Sequence, residues 1–102
     1  MSGLEPFRER LDEIDEQLIA LLGERFKVCR DIAEHKREND IPMMQPGRVE
    51  VVRERYTIGG ALAGMPGGFA DRLFDLLINA TCRMEDELIA SASHGRDGAR
   101  PS

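Results

Sequence analysis

The stretch LEPFRERLDEIDEQLIALLGERFKVCRDIAEHKREN, residues 4–39, decides the fold. It contains no proline beyond Pro6 in its first turn, and Gly23 is its one glycine. Apolar residues recur along it at steps of three and four, which is the pattern of a single buried stripe on one long helix. We call this set the α1 stripe: Leu4, Phe7, Leu11, Ile14, Leu18, Leu21, Val28 and Ile32.

The length of this helix predicts a second copy of the chain. The chain has 102 residues, which corresponds to one domain. A compact domain of that size has a radius of gyration near ~13 Å, whereas a helix of about 35 residues is about 50 Å long. Because one small subunit cannot cover such a stripe, we expect a homodimer, most simply a twofold one.

Composition narrows the class of protein. The formal net charge of -5 disfavours nucleic acid and anionic membranes as partners. Cys29 and Cys82 lie in helical patterns without CxxC spacing, as expected of buried thiols in a reducing compartment. The N-terminus has no signal-peptide core and no apolar run is long enough to span a membrane, so we expect a cytoplasmic protein. No metal-ligand cluster or cofactor motif is present, so we expect no metal and no cofactor.

The rest of the chain predicts two more helices and no strand. A second helix is expected from about Gly47 to Thr57, followed by a glycine-rich loop, GGALAGMPGG, at 59–68. A third is expected from Phe69 to about Ala92. The fold class is therefore all-α, with a folded domain at 1–92 and a disordered tail at 93–102. The expected apolar stripe of the third helix is Phe69, Leu73, Leu76 or Leu77, Ala80, Met84 and Leu88.

Several cations point to an anion-binding site. Arg25 interrupts the α1 stripe, and a buried cation is costly unless an anion meets it. Lys36 follows Arg25 by eleven residues, or about three turns, so the two share a face about 16 Å apart along the axis. Arg8 lies about 25 Å from Arg25 and could reach only the site of an antiparallel partner. Arg48 stands in the first turn of the second helix, where the helix dipole disfavours a cation.

Each cation, taken alone, can also be explained as a surface residue that binds no ligand. A single arginine beside a helix stripe is most often a surface residue with a buried aliphatic stem. The joint pattern weighs against that interpretation, since Thr81 and Glu85 stand one turn apart on the third helix and could face the cations.

The chain resembles the small all-helical chorismate mutases. The resemblance covers about residues 4–90 and is carried by FRERLDEIDEQLIALLGERFKVCRDIAEHK, the proline-bearing loop ending in Arg48, and ADRLFDLLINATCRMED. It implies an intertwined dimer of three-helix chains with two active sites, each completed by an arginine of the other chain. The implied reaction is the [3,3] Claisen rearrangement of chorismate to prephenate, which needs no nucleophile, metal or cofactor.

The resemblance also implies a role for each of the four cations. Arg25 and the partner's Arg8 would hold the two carboxylates of the substrate, aided by Arg48 near the ring. Lys36 would donate to the ether oxygen. The predicted site residues are thus, as catalytic groups, Lys36, Glu85 and Arg25, and as substrate-binding groups, Arg8, Arg25, Lys36, Gln45, Arg48, Thr81 and Glu85.

Three positions depart from the common family pattern. Gln45 stands where an acidic residue is common, and Val49 where a glutamate contacts the ring hydroxyl. Glu85 stands where glutamine often donates to the ether oxygen, and a carboxylate can donate only when protonated. The segments IPMMQPGRV and CRMEDELI resemble the 4-amino-4-deoxychorismate mutases of antibiotic pathways, whose substrate carries an ammonium in place of the hydroxyl. We therefore favour the amino substrate slightly.

Two other functions remain open from sequence. An isochorismate pyruvate lyase uses the same scaffold and similar cations. A non-catalytic helical dimerisation module would explain the α1 stripe but not Arg25 and Lys36 on one inward face.

Overall fold

A computed structural model describes residues 2–42 and 45–99, with side-chain detail up to residue 90. It contains three helices: α1 (Glu5–Glu38), α2 (Pro46–Leu62) and α3 (Phe69–Ala99). Both α1 and α2 pack against α3. The prediction of an all-α fold with three helices and a long first helix is confirmed.

α1 ends where the sequence predicted, through a side-chain cap. The Asn39 side-chain amide donates to the His35 carbonyl oxygen at 2.9 Å, and the Asn39 backbone N–H donates to the same oxygen at 3.1 Å. Asp40 then adopts a left-handed conformation (φ 54°), which an Asp tolerates better than most residues. This reversal turns the chain towards α2 and keeps Lys36 in the last full turn of α1.

The expected glycine-rich loop at 59–68 is shorter than predicted. α2 continues through Gly59 and Gly60 to Leu62, and only 63–68 connects it to α3. Gly60 is buried, and a Cβ added there would overlap the Cβ of Ala70 on α3. The glycine is thus required for close packing of two helices rather than for a turn. The prediction of a loop from 59 was wrong for this reason.

We expect Gly60→Ala to lower the free energy of unfolding by about 1–3 kcal/mol, because the added methyl group must push α2 away from α3. Gly59→Ala is the matched control, since its Cβ would meet no atom within 4 Å. The control should be neutral or stabilising by up to ~1 kcal/mol. Denaturant titration measures both, and equal effects of the two substitutions would contradict the packing role of Gly60.

The buried core of α3 includes Leu77 of the expected stripe but otherwise differs from that stripe. The buried residues are Ala70, Phe74 and Leu77, whereas Phe69 and Leu76 are 43% and 66% exposed. Phe74 is fully buried because α2 covers it. α3 continues to Ala99, so the expected helix end near Ala92 was too early. Residues 100–102 of the expected tail lie outside the described residues, and the domain boundary at 92 stays a prediction.

The α1 stripe has no cover within the chain. Its side chains are 40–69% exposed, from Ile14 at 40% to Phe7 at 69%. The radius of gyration is 18.7 Å and the molecule extends 68 × 33 × 17 Å, well beyond the ~13 Å expected of a compact domain of this size. A single chain therefore leaves a contiguous apolar surface of the kind that marks a protein interface.

Candidate active site

All three helices line one open cavity of ≈ 620 Å³. Its lining residues on α1 lie in the C-terminal half of that helix, between Arg25 and Lys36. The cavity contains each predicted site residue except Arg8: Arg25, Lys36, Gln45, Arg48, Thr81 and Glu85. Its apolar lining is formed by Ile32, Val49, Val52 and Ile78. A mostly apolar concave surface with a few convergent polar groups is typical of a small-molecule site.

The cations of the cavity come from two helices. α1 presents Arg25 and Lys36 on the single face that the eleven-residue spacing predicted, and α2 adds Arg48 near its start. An Arg25 Nη1 lies 3.8 Å from the Cys29 sulfur one turn later. Within the described residues, neither Arg25 nor Arg48 has a carboxylate in ion-pair range. Both guanidinium groups are therefore available to an anionic ligand.

α3 supplies a hydroxyl and a carboxyl to the same cavity. The Thr81 Oγ1 is shielded from solvent and has no hydrogen-bond partner among the described residues. A buried hydroxyl without a partner is unfavourable, so Thr81 is suited to a ligand that supplies an acceptor or donor.

Burial raises the pKa of the Glu85 carboxyl, and the neighbouring Asp86 raises it further, while Lys36 acts in the opposite direction. Burial also raises the pKa of the Cys82 thiol, with Glu85 and Asp86 adding to the effect and Lys36 opposing it. The effect of Lys36 on both pKa values shows that its ammonium group is close enough to interact electrostatically with Glu85 and Cys82. The Glu85 carboxyl is therefore easier to protonate than an ordinary one.

A cluster of side chains around Phe74 holds α2 against α3. The Arg53 guanidinium lies 5.1 Å from the centre of the Phe74 ring and pairs with Asp75 at 2.7 Å. The Tyr56 ring packs against Phe74 at 5.1 Å between centroids. These contacts tie α2 to α3. They therefore also position Arg48 in α2 and Gln45 just before it, both of which are exposed and line the cavity.

Arg8 is the predicted site residue that the cavity does not contain. It is exposed in the first turn of α1, seventeen residues before Arg25, or about 25 Å along the axis. The single chain thus has no route for Arg8 to its own cavity.

Sequence reasoning missed four polar or aromatic residues of the lining: Cys29, Arg55, Tyr56 and Cys82. Arg55 was detectable, since it follows Arg48 by seven residues and so lies on the same face of a continuous helix. The two thiols were expected to be buried, but both are only half-buried and both line the cavity. Among the described residues, no group of three or more His, Cys, Asp or Glu side chains is placed to hold a metal ion.

Comparison with known proteins identifies the family. Residues 7–86 match the family model described as chorismate mutase type II. The chain belongs to this family. It is therefore an isomerase of the chorismate mutase type, as the sequence predicted.

The similar curated proteins are mutases of two kinds. The 4-amino-4-deoxychorismate mutase of Streptomyces pristinaespiralis is 40% identical over 88 residues, which cover 86% of this chain and 68% of that protein. The 4-amino-4-deoxychorismate mutase of Streptomyces venezuelae is 34% identical over 90 residues, or 88% of this chain and 87% of that protein. The bifunctional chorismate mutase/prephenate dehydratase of Buchnera aphidicola is 29% identical over 83 residues, or 81% of this chain and 22% of that protein.

No helix in the described part of this chorismate mutase-type protein combines the length and the apolar character that crossing a membrane requires.

Proposed function

We propose that this protein catalyses the [3,3] rearrangement of 4-amino-4-deoxychorismate, or with lower preference chorismate, at the cavity between α1, α2 and α3. The observation that carries the proposal is the charge of that cavity. Arg25, Lys36, Arg48 and Arg55 line it, whereas Glu85 is the one carboxyl group in its described lining. A net positive cavity of ≈ 620 Å³ suits a small dicarboxylate.

The rearrangement breaks the ether C–O bond and forms a C–C bond within one molecule. It is therefore an isomerisation that needs no second reactant. The flexible enolpyruvyl group must first fold over the ring, and cations that hold both carboxylates favour this conformer. Arg25 binds one carboxylate, and Thr81 donates its hydroxyl to a carboxylate oxygen nearby. Arg48 lies beside the ring.

Charge then develops on the ether oxygen as the C–O bond breaks. Lys36 donates to this oxygen, and its charge stabilises the transition state more than the ground state. Glu85 is the second candidate donor when protonated, and its raised pKa increases the protonated fraction at a given pH. The apolar lining excludes water and strengthens both contacts.

We also propose a homodimer in which Arg8 of one chain enters the cavity of the other. The exposed α1 stripe supplies the apolar contact, and the distance between Arg8 and Arg25 on one helix requires a second chain. The site is then shared. A cytoplasmic location stays part of the proposal and fits the two free thiols, Cys29 and Cys82.

The preference for the amino substrate is supported by the relatives' names. Glu85 on α3 is the one carboxyl group in the described lining that could pair with an ammonium, because Gln45 and Val49 carry no charge. Product analysis by NMR with each substrate tests the proposal. We expect turnover of both, with the larger kcat/KM for the amino substrate. A larger value for chorismate would reverse the preference, and release of pyruvate from isochorismate would instead indicate a lyase.

The pH dependence of chorismate turnover should reveal the state of Glu85. A carboxyl with a raised pKa is protonated below that pKa and ionised above it, so a donating Glu85 makes kcat fall as pH rises through it. Glu85→Gln should remove this decline and raise turnover at high pH, because the amide donates at every pH.

Glu87→Gln is the matched control, since Glu87 is exposed, lies outside the cavity lining and is not among the groups that shift the Glu85 pKa. If Glu85 instead pairs as a carboxylate with the ammonium, Glu85→Gln should raise KM for the amino substrate alone. An unchanged pH profile on both substrates would remove Glu85 from the reaction and leave Lys36 as the donor.

A further inference from the structure

We propose that Arg55 is an entrance residue, which attracts the anionic substrate to the mouth of the cavity without taking part in the rearrangement. This role rests on the proposed function, because it assumes that the ligand of the cavity is a dicarboxylate. It extends that function to a residue with no assigned role.

The position of Arg55 is that of a rim residue. It is exposed, yet it lines the cavity beside Tyr56. It also borders a shallow hollow on the outer surface of α2, next to Glu54 and Ile58. Arg55 therefore lies between the interior of the cavity and open solvent. Arg48 lies on the same face of α2, seven residues earlier, or about 10 Å along the helix axis. The two cations are therefore neighbours along one side of the cavity.

The charge of Arg55 is free to act on a ligand in solution. Within the described residues, no carboxylate lies in ion-pair range of its guanidinium. The chain carries a formal net charge of -5, which repels a dianion. A local group of cations reverses that potential at the cavity mouth, and such focusing raises association rates in a manner that salt suppresses.

The contribution of Arg55 should depend on the charge of the substrate. Chorismate carries two carboxylates, whereas the ammonium of the amino substrate reduces the net charge by one. Long-range attraction scales with ligand charge. Loss of Arg55 should therefore affect chorismate more than the amino substrate, whichever of them is the better substrate.

The test compares Arg55→Ala, Arg55→Lys and Arg83→Ala with the wild-type protein at low and high ionic strength. Arg83 is exposed on α3 outside the cavity lining, so its removal changes net charge equally. We expect Arg55→Ala to lower kcat/KM for chorismate about five-fold at low ionic strength, with kcat nearly unchanged. At about 0.5 M salt the deficit should fall below about two-fold, because screening removes it. Arg55→Lys and Arg83→Ala should stay close to wild type.

Calorimetric titration with malonate, a small dicarboxylate, measures binding to the cavity without any turnover. Arg55→Ala should weaken malonate binding at low ionic strength and not at high ionic strength. A loss of kcat, a loss that salt leaves unchanged, or an equal loss in Arg83→Ala would overturn the entrance role. Absence of turnover in the wild-type protein would refute the proposed function, and the malonate titrations would still decide the role of Arg55.

Discussion

Arg25→Ala should lower kcat/KM about a thousand-fold, equivalent to about 4 kcal/mol of transition-state stabilisation. Arg25 interrupts the α1 stripe and lines the cavity, and its one hydrogen bond among the described side chains is to the Cys29 sulfur. Within the described part of the chain, no carboxylate lies in ion-pair range of this arginine. Its loss should therefore remove a carboxylate contact while the helix stays folded. Steady-state kinetics and circular dichroism measure the two effects.

Arg30→Ala is the matched control for Arg25. Arg30 lies one turn and a half further along α1, is exposed and does not line the cavity. It should retain turnover within about two-fold of the wild type, as surface substitutions generally do. Comparable losses in both variants would mean that Arg25 serves the net charge or folding of α1 rather than the substrate.

Leu18→Asp should separate the proposed dimer and abolish activity. Leu18 is in the middle of the α1 stripe and is 50% exposed in the single chain. A carboxylate there would be buried and unpaired at an interface between two copies of α1, at a cost of several kcal/mol that both copies share. Activity should fall more than about a hundred-fold, since Arg8 can reach a cavity only from a second chain. Sedimentation velocity measures the oligomeric state.

Gln17→Asp introduces the same carboxylate one residue earlier, about 100° around the helix axis from Leu18. Gln17 is exposed and outside the α1 stripe, so its variant should remain dimeric and active. If Leu18→Asp were also dimeric and active, the stripe would not be the interface. If the wild-type protein sedimented as a folded monomer at micromolar concentration, the shared site would be excluded.

The regular features of the fold were accessible from sequence because local physics determines them. The spacing of three and four in residues 4–39 predicts α1, and Asn39 with Asp40 marks its end. The extent of α2 was not accessible. Glycine pairs usually break helices, and only the tertiary approach of Ala70 explains why Gly60 lies inside one. Similarly, the burial of Phe74 follows from how α2 crosses α3, which periodicity along one helix does not reveal.

The site was accessible in part for the same reason. Arg25 and Lys36 share a face by helix geometry alone, and the cavity contains both. The face of α2 that lines the cavity depends on how α2 packs against α3, so Arg55 and Tyr56 were not recognised as lining residues although the predicted helix contained both. The position of Arg8 relative to a cavity depends on a second chain, and its role therefore stays a prediction.

The most direct test of the shared cavity is the activity of a purified heterodimer of Arg8→Ala and Arg25→Ala chains. The two chains would be co-expressed with different affinity tags and isolated by both tags in sequence. One cavity of this heterodimer would combine an intact Arg25 with an intact Arg8, and the other would carry both substitutions. We predict about half of the wild-type turnover per dimer, whereas each homodimeric variant is nearly inactive. A heterodimer no more active than the two homodimeric variants would contradict a site built from two chains.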